Sequence, residues 1–130
     1  CLESARNSTE VAAFPGKVTI VENKLRHHEI PSFGSSNHLA GMLISARNHD
    51  RTKSAILNIH PRTDKDAIET ICEELDLNLT FASMGDIEPH QGIDVILDEG
   101  AFGWEPALYI LAHNPLELVD RMHRIISMLN

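Results

Sequence analysis

The sequence contains few aromatic residues, few cysteines and no long hydrophobic run. Aromatic side chains make up 5% of its 130 residues, and Cys1 and Cys72 are the only cysteines. Two thiols, one of them terminal, exclude a disulfide framework and a CxxC metal site. No apolar run approaches the roughly 20 residues of a membrane-spanning helix, and no N-terminal stretch has the layout of a signal peptide. We therefore expect a cytoplasmic protein with no membrane partner.

The sequence also lacks the positive charge and the residue spacings that several functional classes require. Its 11 Lys and Arg residues face 19 Asp and Glu residues, which gives a formal net charge of −8 at pH 7. This acidic excess argues against a nucleic-acid surface, because phosphate backbones require a basic face. The eight histidines form neither an HExxH motif nor a His-x-His pair, and no serine lies in a nucleophile-elbow motif. A zinc site and a serine hydrolase are therefore rejected as first hypotheses.

What the sequence does contain is an alternation of apolar strand patterns and amphipathic helix patterns. Hydrophobic residues make up 42% of the chain, which is enough for the core of one domain over residues 1–130. Apolar runs predict strands over residues 11–14, 17–22, 25–30, 54–59, 79–84, 94–98 and 107–112. Helical periodicity predicts helices over 37–48, over 63–75 behind a capping box that begins at Thr63, and from the Asn114-Pro115 pair onward. This order predicts a layered α/β domain with a mixed or mostly parallel sheet.

The most informative segment is the bend that precedes the first predicted helix. Gly34, Ser35, Ser36 and Asn37 form a small polar turn, and His38 follows in the first helical turn. A helix start of this kind presents free backbone N–H groups and the positive end of the helix dipole, so it can bind an anion such as phosphate. Ser36 also suits an ordinary N-cap that needs no ligand, and the local residues alone favour this second interpretation.

Cationic and polar side chains near the predicted strand ends can contact the same anion. Lys17 follows a Pro-Gly pair at the start of a strand, and Arg62 follows the strand that contains Asn58. A lysine ammonium binds phosphate as a point charge, whereas an arginine guanidinium offers two parallel donors. The alternatives are a solvated side chain for Lys17 and a contact with strand-end backbone groups for Asn58.

Acidic and aromatic residues follow the predicted strand over 94–98. Asp98 and Glu99 precede Gly100, and a carboxylate pair in this place can hold Mg²⁺ through water. Asp98 can instead cap the loop that follows, and the sequence does not decide between the two. Trp104 and Glu105 lie in the same loop, where they can line a pocket for a flat ring, although a lone loop tryptophan more often packs against the edge of the core.

Several blocks of the sequence, taken in order, resemble the archaeal ThiN family. The blocks are residues 11–18 (VAAFPGKV), 33–40 (FGSSNHLA), 55–59 (AILNI), 98–100 (DEG), 104–106 (WEP) and the helix start at 114–115 (NP). Each block is short, but their ordered combination covers nearly all of the chain. The family usually has a helical segment before the first block, so the resemblance implies that residues 1–130 are the C-terminal part of a longer polypeptide.

The resemblance implies a three-layer α/β/α fold with a mixed sheet, akin to class II sugar aldolases but without their zinc ligands, in a homodimer. It also implies the reaction of a thiamine-phosphate synthase, which joins hydroxymethylpyrimidine diphosphate to a thiazole phosphate and releases pyrophosphate with the help of Mg²⁺. Domains of this kind are often fused behind a hydroxymethylpyrimidine phosphate kinase. In a related branch they are fused to a helix-turn-helix and sense thiamine phosphate for transcription.

The residues and the resemblance together predict one site for small phosphate-bearing ligands. Its expected members are His38 and Lys17 as catalytic residues, Gly34, Ser35, Ser36, Asn37, Asn58, Arg62 and Glu105 as substrate- and phosphate-binding residues, and Asp98 and Glu99 as ligands of Mg²⁺. Most of the rate gain is expected from positioning two bound ligands and from stabilising the pyrophosphate leaving group, without a protein nucleophile.

Three places depart from the pattern that the resemblance leads us to expect. Lys17 stands where an arginine is expected, and so does Gly41, one turn after His38. His60 and Pro61 stand in place of an Arg-Tyr pair. Because several cations are missing, a catalytically silent thiamine-phosphate sensor of a transcription regulator is the alternative function. An aldolase-like sugar-phosphate enzyme is a third hypothesis, which the missing zinc ligands disfavour.

Overall fold

The structure is a computed structural model that describes residues 1, 4–14, 19–22, 24–26, 30–88 and 92–129. Its strands are β1 (Ala12–Ala13), β2 (Thr19–Val21), β3 (Lys24–Arg26), β4 (Ser32–Phe33), β5 (Ala55–Ile59), β6 (Leu79–Ser83), β7 (Asp86–Ile87), β8 (Val95–Asp98) and β9 (Ala107–Ala112). Its helices are α1 (His38–Arg47), α2 (Lys65–Glu74) and α3 (Pro115–Leu129), and Ser8–Glu10 forms a single 3₁₀ turn. The predicted order of strands and helices is therefore confirmed from α1 to α3, except that the two-residue strand β7 was not predicted.

The central element is a five-stranded sheet with the strand order β5-β9-β8-β6-β7. Only the β6–β8 pair is parallel, while β5–β9, β8–β9 and β6–β7 are antiparallel. The mixed sheet is confirmed, and the alternative of a mostly parallel sheet is wrong, because β9 runs back between β5 and β8. Two antiparallel ribbons, β1 with β4 and β2 with β3, complete the described strands.

Both faces of the sheet are covered, which gives three layers. On one face α1 packs against the sheet through a cluster that includes Met42, Leu43, Ile96, Tyr109 and Leu111. On the other face α2 and α3 pack through a cluster that includes Ile68, Ile71, Val95, Leu108, Ile110 and Ile125. Side chains of successive strand residues point to opposite faces, so β8 and β9 contribute to both clusters alternately. The α/β/α architecture predicted from the sequence is therefore confirmed, while the relation to class II aldolases stays a prediction.

The helix starts show which caps the sequence identifies correctly. Asn114 accepts a hydrogen bond from the Glu117 amide at 2.9 Å, so the predicted cap of α3 is confirmed. The predicted capping box of α2 at Thr63 is wrong by one residue, because Asp64 is the N-cap and accepts from the Ala67 amide at 2.9 Å. Aspartate caps a helix as well as threonine does, so the pattern alone does not separate the two adjacent candidates.

A largely buried ion cluster joins α3 to the segments that precede β5 and β8. It consists of Lys53, Asp50, Asp94, Arg121 and Glu117. Lys53 lies 3.0 Å from Asp94, and Arg121 lies 3.1 Å from the same carboxylate. Burial acts to raise the pKa of Asp94, but the Asn78 amide and these two cations outweigh it and hold the pKa below its ordinary value.

This ion cluster predicts acid sensitivity. A carboxyl whose folded-state pKa is depressed contributes stability above its unfolded-state pKa and loses that contribution as the pH falls. The free energy of unfolding is therefore expected to reach its highest value above about pH 5. It should decrease as the pH falls through and below about 4, the ordinary pKa of a carboxyl group. In Asp94→Asn the free energy of unfolding should be about 3 kcal/mol lower at pH 7, because the buried Lys53 and the partly buried Arg121 lose a partner. Its decrease below pH 5 should be shallower.

Urea denaturation at several pH values between 3 and 7 measures both effects. The matched control is Asp120→Asn, because Asp120 is exposed and its ion pair with Arg124 is exposed as well. An Asp94→Asn protein with the stability and acid profile of the control would show that the cluster contributes nothing.

No helix among the described residues is both long enough and apolar enough to cross a membrane.

Candidate functional site

Four chain segments meet at one edge of the central sheet. Strand β6 runs parallel to β8 with Ala82 beside Asp98, so both strands end at the same edge. Strand β9 is antiparallel to β8 and to β5, with Asp98 opposite Ala107 and Ile59 opposite Leu108. The segments that follow β5, β6 and β8 therefore lie beside the segment that precedes β9. The sequence-predicted residues that follow β5 and β8 are placed at this edge.

His38 joins the first turn of α1 to this edge. Its Nε2 lies 2.7 Å from the hydroxyl of Tyr109 in β9. The ring also meets the ring of Trp104 edge-on, with 5.7 Å between the centroids. Tyr109 is buried with 1% exposure, whereas His38 is exposed. Nε2 of His38 is thus hydrogen-bonded to the sheet through Tyr109. Nδ1, on the other side of the ring, has no hydrogen-bond partner among the described residues and can contact a ligand.

Tyr109 is suited to hold this imidazole in one orientation. Burial raises the pKa of the Tyr109 hydroxyl, and the negative charge of Asp98 raises it further. The hydroxyl therefore keeps its proton at neutral pH and can donate a hydrogen bond to an unprotonated Nε2. Asn58 lies opposite Tyr109 in the β5–β9 pair, so its exposed side chain is on the same face of the sheet.

Asp98 organises the loops at this edge. It is 1% exposed, and its carboxylate accepts hydrogen bonds from the Gly100 amide at 2.9 Å and from the Gly85 amide at 3.1 Å. It also accepts a hydrogen bond from the indole N–H of Trp104 at 3.0 Å. Of the two interpretations that the sequence leaves open for Asp98, this geometry favours the loop cap over the metal ligand.

Gly100 shows how tightly this loop is built. Its φ is +80°, and a Cβ atom at this position would lie 2.7 Å from the Trp104 carbonyl oxygen and 2.9 Å from the Pro106 nitrogen. Ala101 and Trp104 exchange backbone hydrogen bonds of 2.9 Å across the turn. The Trp104 ring packs over Gly85, where a Cβ would be 3.5 Å away. Only glycine fits at position 100 without displacing the loop that carries Trp104.

The bend before α1 is open to solvent. Gly34 has a φ of +71° and donates its amide to the Val11 carbonyl at 3.2 Å. The Ser32 and Ser35 hydroxyls pair with each other, and the Ser36 hydroxyl accepts from the Leu39 amide at 3.2 Å. The Ser36 hydroxyl therefore satisfies one helix-start amide, but the N-cap residue of α1 is Asn37, one residue after the predicted cap.

The capping leaves donors at the start of α1. The Asn37 side chain makes no capping hydrogen bond and, like His38, is exposed. Within the described part of the chain, the amides of Asn37, His38 and Ala40 have no backbone or side-chain acceptor. Three N–H groups and the positive end of the helix dipole thus belong to the helix start that carries His38, an arrangement that can bind an anion.

Among the described residues, no hydrogen bond, ion pair or ring contact links the remaining predicted site residues to His38. Arg62 is exposed with a φ of +59°, and its amide donates to His60 Nδ1 at 3.1 Å. Glu99 and Glu105 are exposed in the loop between β8 and β9. Lys17 lies outside the described residues, so its predicted role stays a prediction.

The predicted Mg²⁺ site does not fit the geometry of Asp98. Its carboxylate is buried and already accepts hydrogen bonds from three N–H groups. A metal-binding carboxylate instead needs a lone pair that points toward the ion. Among the described residues, no group of three or more His, Cys, Asp or Glu side chains could hold a metal ion.

Sequence reasoning missed Tyr109. The run over 107–112 predicts a strand, and no site residue is predicted in it. One signal was available, because Tyr109 is the only tyrosine of the chain and lies among aliphatic residues. A buried tyrosine needs a hydrogen-bond partner for its hydroxyl, but its partner is 71 residues earlier in the chain, and the sequence does not identify it.

Comparison with known proteins gives one family and two solved structures. A family model described as thiamine-phosphate synthase ThiN matches residues 1–124. The C-terminal domain of protein MJ0236 superimposes with a TM-score of 0.76 at 20% identity, over 95% of this chain and 76% of that chain. The C-terminal domain of a phosphomethylpyrimidine kinase superimposes with a TM-score of 0.75 at 22% identity, over 98% of this chain and 79% of that chain. At these identities the two structures support the fold alone. Comparison with curated proteins gives no match.

Proposed function

Because the chain belongs to the thiamine-phosphate synthase ThiN family, we propose that its function in thiamine metabolism is the synthase reaction itself. In this proposal the start of α1, with His38, binds the reacting phosphate groups. The observation that supports this site is the position of His38. Its ring is anchored to Tyr109 through Nε2 and lies beside helix-start amides that have no protein acceptor in the described chain.

The proposed reaction is a substitution at the methylene carbon of hydroxymethylpyrimidine diphosphate. The lone pair of the thiazole nitrogen forms the new C–N bond, and the electron pair of the broken C–O bond leaves with pyrophosphate. The attacking nitrogen carries no proton, so the bond exchange needs no general base. What the protein must supply is orientation of two ligands and stabilisation of the charge that develops on the leaving oxygen.

The residues at the sheet edge divide these tasks. The amides of Asn37 and His38 donate to phosphate oxygens, and His38 Nδ1 donates to the same group when the ring carries a proton there. Tyr109 and Trp104 fix the ring, so these donors need not be reorganised during the reaction. Any Mg²⁺ would arrive with the diphosphate substrate, because the described residues offer it no built site.

The alternative is a domain that binds thiamine phosphate without making it. The missing cations favour this alternative, because Gly41 carries no charge one turn after His38. A binding domain needs only affinity for the product, whereas a synthase must also stabilise the departing pyrophosphate.

Incubation of the purified protein with hydroxymethylpyrimidine diphosphate, thiazole phosphate and Mg²⁺ tests the proposal. Formation of thiamine phosphate, detected by chromatography, is the expected result. Absence of product together with calorimetric binding of thiamine phosphate would favour the sensor. Absence of both product and binding would contradict both functions.

Restoring a cation at position 41 should separate the two functions further. A Cβ at Gly41 would meet no atom within 4 Å, so a side chain can begin there without a clash, and positions 38 and 41 lie on neighbouring turns of one helix face. Gly41→Arg is expected to raise synthase activity about tenfold, since a charge-assisted hydrogen bond to phosphate contributes about 1.5 kcal/mol.

Gly41→Gln is the matched control, because it removes the same helix glycine without adding charge. Steady-state kinetics of both variants measure the effect. Equal activities in the two variants would show that the charge at position 41 does not act on the reacting phosphate.

A further inference from the structure

Two large apolar side chains are exposed on the loops beside the His38 site. Phe102 is fully exposed, and Met84 is 55% exposed. Phe102 lies two residues before Trp104, whose ring meets the His38 ring edge-on, so the Cα atoms of Phe102 and Trp104 are within about 8 Å of each other. Met84 directly precedes Gly85, over which the Trp104 ring packs. The two exposed side chains therefore belong to the two turns that meet at Trp104.

The turn that carries Phe102 is held at both ends. The backbones of Ala101 and Trp104 exchange hydrogen bonds of 2.9 Å, and Gly103 supplies the positive φ of +76° that the turn needs. The indole N–H of Trp104 donates to the buried carboxylate of Asp98. Phe102 is thus presented on a fixed backbone, which lowers the entropy cost of placing its ring against a ligand.

Met84 is held in a conformation that its residue type disfavours. It is the first residue of the two-residue turn between β6 and β7, with a φ of +51°, where asparagine, aspartate or glycine is preferred. The Gly85 amide donates to Asp98 at 3.1 Å, so the same carboxylate holds this turn as well. An exposed methionine adds little burial to the fold, and backbone strain of this kind is typical of loops that contact a ligand.

The proposed reaction determines which ring these side chains would meet. When the thiazole nitrogen forms the new C–N bond, it acquires a positive charge, so the product carries a cationic aromatic ring beside its phosphate. A cation is stabilised over the face of an aromatic side chain, and a methionine sulfur makes favourable contacts with aromatic rings. Glu99 and Glu105 are exposed in the same loop as Phe102, and their carboxylates also favour a cation.

We propose that Phe102 and Met84 bind the cationic thiazolium ring of the ligand whose phosphate lies at His38. Phe102 contacts the face of this ring, and the Met84 thioether packs against it. The inference rests on the proposed function and adds the residues that distinguish the charged ring of the product from the neutral ring of the thiazole precursor.

Calorimetric titrations with thiamine phosphate, with thiazole phosphate and with N-methylated thiazole phosphate test the inference. The last two ligands share the phosphate and differ in ring charge. Phe102→Ala and Phe102→Leu are expected to weaken the binding of both cationic ligands at least fivefold and that of thiazole phosphate less than twofold. Phe102→Tyr keeps an aromatic face and should bind all three ligands within twofold of the unmodified protein.

Met84→Asn tests the second residue. It should raise the urea midpoint of unfolding, because Asn-Gly suits a two-residue hairpin turn, and should weaken the binding of thiamine phosphate at least threefold. Unchanged binding in this variant would overturn the role of Met84.

Leu116→Ala is the matched control, because Leu116 is 86% exposed on α3, which packs against the opposite face of the sheet. It should leave all three affinities unchanged. In Phe102→Ala, unchanged binding, an equal loss for charged and neutral rings, or a change only in the oligomeric state measured by sedimentation would overturn the inference and leave the proposed function in place. Absence of binding of all three ligands to the unmodified protein would overturn both.

Discussion

Replacement of His38 by alanine is expected to weaken the binding of thiamine phosphate tenfold or more, which corresponds to about 1.4 kcal/mol. The reason is that the substitution removes the one ring that is both exposed to a ligand and anchored to the sheet edge through Tyr109. The free energy of unfolding should fall by about 1 kcal/mol, because the hydroxyl of the buried Tyr109 loses its hydrogen-bond partner. Isothermal titration calorimetry at pH 7 and low salt measures the affinity.

Two further variants make this result specific. His123→Ala removes an exposed histidine from α3, on the opposite face of the sheet, and should bind thiamine phosphate as the unmodified protein does. Tyr109→Phe keeps the core packing but removes the anchor of the imidazole, so it should weaken binding severalfold with His38 still present. An unchanged affinity in His38→Ala would remove His38 from the site.

Asp98→Asn should lower the free energy of unfolding by about 3 kcal/mol and disturb the surroundings of Trp104. An asparagine can still accept the Gly100 amide through its one oxygen. Its NH₂ group would then face the N–H donors of Gly85 and Trp104, and each buried donor left without an acceptor costs about 1–3 kcal/mol. Urea denaturation followed by tryptophan fluorescence reports on this loop directly, because Trp104 is the only tryptophan.

Glu99→Gln is the matched control for Asp98→Asn. It makes the same change of charge one residue later, at an exposed position, and should alter the stability by less than about 0.5 kcal/mol. If Asp98→Asn instead kept full stability and altered only the dependence of activity on Mg²⁺, the metal-ligand interpretation of Asp98 would be correct and the loop-cap interpretation would fail.

The sequence predicts the strands and helices of this fold because these elements follow from local patterns, whereas the three-layer arrangement is implied by the family resemblance. The run over 107–112 gives the bounds of β9, and the periodicity over 37–48 gives α1 to within one residue at each end. The strand order is less accessible. Nothing local indicates that β9 runs back between β5 and β8, since that pairing depends on contacts between distant parts of the chain.

The candidate site is predictable only in part, for the same reason. Gly34 and His38 are visible as a helix start after a polar bend, which is a local feature. The anchor of His38 is Tyr109, and the partners of Asp98 include Gly85 and Trp104. Each of these contacts joins residues from different elements or loops, so it becomes apparent only when the sheet brings them to one edge.

We expect helix-start amides and the anchored imidazole of His38 to bind the phosphate of the ligand. A ¹H–¹⁵N titration of the protein with thiamine phosphate, which follows the Asn37, His38 and Ala40 amides and the ring nitrogens of His38, measures this binding. The expected result is a saturable shift at all three amides and at Nδ1, with Nε2 still hydrogen-bonded to Tyr109. Saturable binding that leaves these signals in place and shifts others would contradict it.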